Sequence, residues 1–248
     1  MKIICLVPSI TETLLACDIK LVGRSRFCIH PANAVEQIPK VGGTKDIDWH
    51  KTAGLKPDLV ILDKEENTLE MAESCPYEYI ALHINSVNDV GSELAKLAER
   101  IDNAKLMAIA NRWQSVSQQN RPQKNLTEIP GIKTWWNPVT RQTQLVYLIW
   151  RDPWMAIGNN TFIQSVLDFC GLEPHRIAFD EKYPEVDLAD YSPEETVLLF
   201  SSEPYPFDRY QDELMELGFA CALIDGEKYS WYGVRSLEFL ESIVGARF

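Results

Sequence analysis

The two side chains best suited to covalent or metal chemistry, Cys28 and His30, stand two residues apart in the polar loop Arg24-Ser25-Arg26-Phe27-Cys28-Ile29-His30-Pro31. A thiolate beside an imidazole makes a nucleophile with its base, or a pair of soft metal ligands. In extended backbone, however, an i, i+2 spacing sends the two side chains to opposite sides, and no third residue is placed by spacing to orient the imidazole. His30 is therefore weighed as a ligand to a metal or metal cofactor against a hydrogen-bonded rim residue, and Cys28 as an inward-packed loop thiol. Other polar and aromatic groups follow later apolar runs. Trp154 closes Trp150-Arg151-Asp152-Pro153, Glu203 and Tyr205 follow Ser201-Ser202, and Asp225 leads toward Trp231, Tyr232 and Arg235. With Arg26 and His30, they combine broad aromatic area with a few orienting charges, which suits a sizeable, partly flat, partly polar organic ligand. Trp135, Trp136 and Trp150 lie inside apolar runs and read as core. The rival to a binding protein is a small enzyme using Cys28, His30, Glu203 or Asp225 as nucleophile, acid or base. The sequence has no GxGxxG, P-loop, HExxH or GxSxG pattern, and the expected activity is binding, not catalysis.

The elements that must position these groups alternate in type. Short apolar runs at Ile3–Val7, Leu21–Gly23, Leu59–Leu62 and Tyr79–Leu82 are separated by helical segments near Ser9–Cys17, Ile47–Leu55 and Glu65–Ser74. Ser9-Ile10-Thr11-Glu12 has the spacing of a capping box. Later strands are expected at Ile132–Trp136 and Leu145–Trp150, which would pair through Asn137–Arg141, then at Val197–Phe200 and Ala220–Ile224. Helices are expected at Thr161–Cys170 with Asn159 as cap, at Arg209–Leu217, and at Val234–Ile243. Such alternation specifies parallel sheets covered by helices. Between the two sets, Ser86–Arg121 has no proline and one glycine, and its apolar residues recur at helical steps, with Pro122 as the stop. A helix of that length would reach ~50 Å. The expected fold is therefore α/β, with two small Rossmann-like lobes of mostly parallel strands joined by one long helix. Its parts would be an N-terminal lobe over 1–85, the helix over 86–121 and a C-terminal lobe over 122–248.

A formal net charge of −12 and the lack of a basic stripe argue against nucleic acid and anionic membrane surfaces as partners. No apolar stretch approaches the ~20 residues of a membrane span. Lys2 is followed by only five apolar residues before Pro8, too few for a secretory leader, and the six cysteines are scattered without a CxxC pair. Both features lead to the expectation of a cytoplasmic protein whose cysteines are core residues.

Taken in order, Leu6-Val7-Pro8-Ser9-Ile10-Thr11-Glu12-Thr13-Leu14, Val22-Gly23-Arg24-Ser25, Pro31, Val41-Gly42-Gly43 and Leu55-Lys56-Pro57-Asp58-Leu59-Val60 resemble one known pattern. It is that of the helical-backbone metal receptors, or class III periplasmic substrate-binding proteins, and is nearest to their cobalamin-binding branch. The second half matches through Gly158-Asn159-Asn160, Cys170-Gly171 and Tyr183-Pro184-Glu185-Val186. The resemblance implies a rigid two-lobe receptor that takes cobalamin, haem or another metal chelate at the lobe interface and needs no resident cofactor. It places the corrin-contacting aromatic of the first lobe near His30, loses a following tryptophan at Gly42, and puts the second-lobe tryptophan at Tyr183. In a haem-binding member the iron ligand would be Tyr or His, which here means His30 or Tyr232. The two glutamates that dock such receptors on an ABC permease fall at His50 and Ala189, with Asp48 and Asp190 close by. The resemblance thus implies a ligand binder without its transporter.

Overall fold

A computed structural model describes residues 1–119 and 123–245. They divide into two compact units, Met1–Gln118 with Trp231–Glu238, and Gln119–Ser230 with residues 239–245. In the first, β1 (Ile3–Cys5), β2 (Leu21–Ser25), β3 (Lys40–Gly42), β4 (Leu59–Asp63) and β5 (Tyr79–Leu82) form a parallel sheet in the order β3-β2-β1-β4-β5. The helices α1 (Pro8–Ala16), α2 (Ala32–Val35), α3 (Trp49–Thr52) and α4 (Leu69–Glu73) connect these strands in turn. Every residue of β1 and β4 is buried, as strands covered on both faces require. The capping box expected at Ser9 does not form. Pro8 takes the first helical position, where its missing N–H costs nothing, so Val7 becomes the cap and Ser9 lies inside the first turn.

The single long helix is also corrected. The span forms two helices, α5 (Val87–Ile101) and α6 (Ala104–Ser117), broken at Asp102, whose φ of 52° and ψ of 56° are left-handed. Asn103 caps the second helix through its side chain, which accepts from the Leu106 N–H. The helices fold back on each other within the first unit, and a Cβ on Gly91 would come 2.7 Å from Gln114 and 3.1 Å from the Ala110 carbonyl. Both halves bury one face, so their apolar residues continue a common period across the turn and conceal it in the sequence. Asn120, Arg121 and the expected stop Pro122 lie outside the described residues.

The second unit has a sheet ordered β6-β10-β9-β7-β8. Its strands are β6 (Ile132–Asn137), β7 (Gln144–Trp150), β8 (Met155–Ala156), β9 (Thr196–Ser201) and β10 (Ala220–Ile224). β7, β9 and β10 run parallel, and the edge strands β6 and β8 run antiparallel to their neighbours. β6 and β7 do not pair as expected. β6 lies on β10, and β7 pairs with β9 and β8. α7 (Phe162–Phe169) is capped by the Thr161 hydroxyl, which accepts from the Gln164 N–H, rather than by Asn159. α8 (Gln211–Glu216) and α9 (Gly226–Ser230) complete this unit. Its core gathers Trp136, Val146, Leu148, Leu198, Phe200, Phe207 and Leu223 between sheet and helices.

After α9 the chain returns to the first unit with Trp231–Glu238, which includes the start of α10 (Val234–Val244). The Trp113 indole N–H donates to the Gly233 carbonyl, and the Val234 N–H to the Thr13 hydroxyl. Gly233 is needed there, since a Cβ would run into the Thr13 hydroxyl and the Ser9 carbonyl. Among the described residues no helix is long and apolar enough to cross a membrane.

Candidate functional site

In the first sheet the strand order reverses between β1 and β4, and the crevice beyond the carboxyl ends of two such strands is where open α/β sheets usually take ligands. Here the chain fills that place itself. Tyr232 is 4% exposed, with its hydroxyl close to the Asp63 carboxyl at the end of β4 and with Glu66 and Cys5 nearby. Asp63 is 1% exposed, and its Oδ1 accepts from the Glu65 and Glu66 N–H groups at 2.8 and 3.2 Å. Burial raises the Asp63 pKa above the usual carboxylate range against the lowering effect of these bonds. Burial, and then the Asp63 charge, push the Tyr232 phenol well above its ordinary value.

The half-buried His30 ring packs edge-on against Trp231 at 5.2 Å, and the Arg235 guanidinium lies over the same indole at 5.4 Å. Arg235 grips Glu12 with two nitrogens. Cys28 turns inward, away from His30, with its thiol 3.1 Å from the Thr11 hydroxyl and 3.2 Å from that of Ser25. Burial raises its pKa, which keeps it a thiol and not a nucleophilic thiolate. Deeper still, Cys5 is pushed up to about 12 by burial. Arg26 is exposed, forks onto Asp46 and covers the exposed Phe27 ring at 5.0 Å. Thus His30, Trp231 and Arg235 converge, whereas Cys28, Tyr232 and Arg26 each face a different neighbour.

In the second unit the carboxyl ends of β7 and β9 carry an aromatic cluster. Trp154 stacks on Phe207 at 6.2 Å, Tyr205 packs on Phe207 at 4.6 Å and on Tyr210 at 5.7 Å, and Trp150 meets Tyr205 edge-on at 5.2 Å. The Arg151 guanidinium lies over both Trp154 and Tyr210, at 5.6 and 5.2 Å, and is held by Glu213. Trp150 remains 41% exposed and Tyr183 43%. Glu203 accepts from the Ser230 hydroxyl at 2.7 Å, and Asp225 pairs with Lys228. Sequence reasoning read Trp150 as core, named Arg151 only as part of its loop, and did not single out Tyr210. Trp150 is the last residue of its strand, immediately before Arg151-Asp152-Pro153, and that terminal position was the available signal. Among the described residues no group of three or more His, Cys, Asp or Glu is placed to hold a metal ion.

The sequence profile of the family described as periplasmic binding protein matches residues 3–195. A vitamin B12-binding protein of Vibrio vulnificus strain CMCP6 is 23% identical over 192 residues, or 75% of this chain. The chain spans 66% of the length of that relative. Among solved structures, the periplasmic vitamin B12 binding protein BtuF of Vibrio cholerae superimposes with a TM-score of 0.67 at 17% identity, covering 98% of this chain and 95% of its own. The periplasmic haem-binding protein HutB of Vibrio cholerae gives 0.68 at 17% identity over 98% and 97% of the two chains. An ABC transporter substrate-binding protein of Listeria monocytogenes EGD-e gives 0.65 at 14% identity over 98% and 96%. At such identities the structural likenesses establish the fold. The family match overturns the cytoplasmic location expected from the short N-terminal apolar run and the cysteines, and points to a periplasmic or other extracytoplasmic one. The six cysteines are free and, except for the half-buried Cys75, buried, so packing accounts for them without appeal to a reducing compartment.

Proposed function

Because the chain belongs to the periplasmic binding protein family, a family of binding proteins and not of enzymes, we propose that it is a receptor for a flat metal–macrocycle complex, a corrinoid or a haem. The observation that carries this reading is the aromatic cluster at the carboxyl ends of β7 and β9, where Trp150 presents a large exposed ring. Rings held by neighbouring rings lose little freedom on binding and offer wide contact area to a planar ligand. In this reading Trp150, Tyr183 and Tyr205 supply aromatic contact in the second unit, and Arg151 and Glu203 supply polarity. Cys28, Trp231, Tyr232 and Arg235 support the loops from within. The relatives named for vitamin B12 and haem agree with a ligand of this class.

The test is a titration with cyanocobalamin and, separately, with haemin, followed by visible absorbance and tryptophan fluorescence. Saturation with one of them in the micromolar range or tighter is expected. Strictly linear, non-saturating responses to both would refute the assignment.

For the transporter we propose that this chain does not use the paired docking carboxylates implied by the resemblance. His50 and Ala189, at the two positions, are exposed. The neighbouring Asp48 is spent on the His50 N–H and on Lys51. Co-purification with an ABC permease that is abolished by Asp48→Ala or Asp190→Ala would overturn this.

A further inference from the structure

The strand β2, the loop behind it and α2 border a shallow, open cavity of about 390 Å³ lined by Arg24, Arg26, Ile29, Asn33, Glu36 and Lys40. Arg24 is 4% exposed, and among the described residues no carboxylate pairs with it. Its Nε donates to the Val35 carbonyl at 2.8 Å, and its Nη1 to those of Ser25 and Cys28 at 3.1 and 3.0 Å. A guanidinium has five donors, so these bonds use three and leave the two on Nη2. That nitrogen is not sealed in the interior, and Arg24 is one of the residues that line the cavity. Three carbonyl bonds fix the fork before anything arrives.

The other charges around the cavity do not cancel this one. Arg26 is already neutralised by Asp46, which takes both of its terminal nitrogens. Lys40 is exposed and has no acidic partner among the described residues, and Glu36 is the single acid on the wall. One net positive charge therefore remains in a chain whose overall charge is −12. A buried, prepositioned guanidinium with unspent donors beside an exposed ammonium is the arrangement that selects carboxylate or phosphate oxygens.

We propose that this cavity is a binding site for a small oxyanion, a carboxylate or phosphate group held by Arg24 Nη2 and Lys40, separate from the aromatic cluster of the second unit. The experiment is calorimetric titration of the full chain with inorganic phosphate and with citrate at low ionic strength, with no macrocycle present. Saturable binding of either anion is expected, and the stronger of the two names the preferred group. Lys40→Glu weakens it by about tenfold or more and Glu36→Gln strengthens it several-fold, each by changing one charge at the cavity. Both positions are exposed, so these variants avoid the folding risk of replacing Arg24. No saturation with either anion, or binding indifferent to both substitutions, would overturn the proposal. The corrinoid and haem titrations read a different site and stand or fall separately.

Discussion

Arg235 and Glu12, 223 positions apart in the chain, form a bidentate pair, with Nη2 to Oε1 at 2.5 Å and Nε to Oε2 at 3.1 Å. Both are largely covered, and Arg235 also lies over Trp231. The pair thus fixes the returning segment to α1. Glu12→Gln keeps the shape but removes the charge, and is expected to cost about 2 kcal/mol, close to the worth of a charged hydrogen-bond pair. For a chain of this size that lowers Tm by roughly 4–8 °C. A double-mutant cycle with Arg235→Met measures the coupling, and strict additivity would remove the pair from the account.

Asp63 provides a pH test. Its folded-state pKa lies above the ordinary carboxylate value because burial opposes its charge. The native state therefore holds the proton more tightly than the unfolded chain. Its contribution to stability is full at acid pH and declines as pH rises through the ordinary value toward the raised one. Asp63→Asn retains an oxygen for the Glu65 and Glu66 N–H groups but removes the titration. Urea unfolding of both proteins is expected to show the difference moving in favour of the variant between acid and neutral pH. A pH-independent difference would contradict the assigned shift.

The hairpin of α5 and α6 depends on Gly91. Gly91→Val forces a branched side chain into the Ala110 carbonyl and the Gln114 side chain, and overpacking of this kind costs about 1–3 kcal/mol. Asp102→Gly works in the opposite direction. It relieves a left-handed residue whose backbone conformation is unfavourable for a side chain, and should stabilise the protein by up to about 1 kcal/mol. Chemical denaturation of both variants checks the signs.

The aromatic reading of the ligand site predicts that Trp150→Ala weakens corrinoid or haem binding about tenfold or more, as loss of an interface aromatic does, with little change in Tm. Trp150 is the exposed member of its cluster, so an unchanged affinity would place the ligand elsewhere.

Much of the sheet architecture was legible in the sequence, because fully buried parallel strands appear as short apolar runs and proline and glycine mark their ends. The break at Asp102 was not legible. An aspartate in a left-handed turn leaves no glycine or proline to mark it, and the helical period runs on through α6. The pairing of β6 with β10 instead of β7 rests on contacts between residues more than eighty positions apart, which local pattern does not encode. At the site, residue type identified the loops correctly as aromatic and charged but did not say which rings face inward. Trp231 and Tyr232 sit in a loop bounded by glycine and serine yet are buried, and Trp150 belongs to a strand yet is exposed.

The return of Trp231–Glu238 to the first unit has a consequence for biosynthesis. On the ribosome, the N-terminal sheet and the α5–α6 hairpin emerge early, but the tyrosine that fills the crevice and the arginine that holds Glu12 emerge only after all of Gln119–Ser230 has been translated. Until then Asp63 lacks Tyr232 and the Trp113 indole N–H lacks the Gly233 carbonyl, so the first unit of the nascent chain must wait, incomplete, for a segment made more than a hundred residues later.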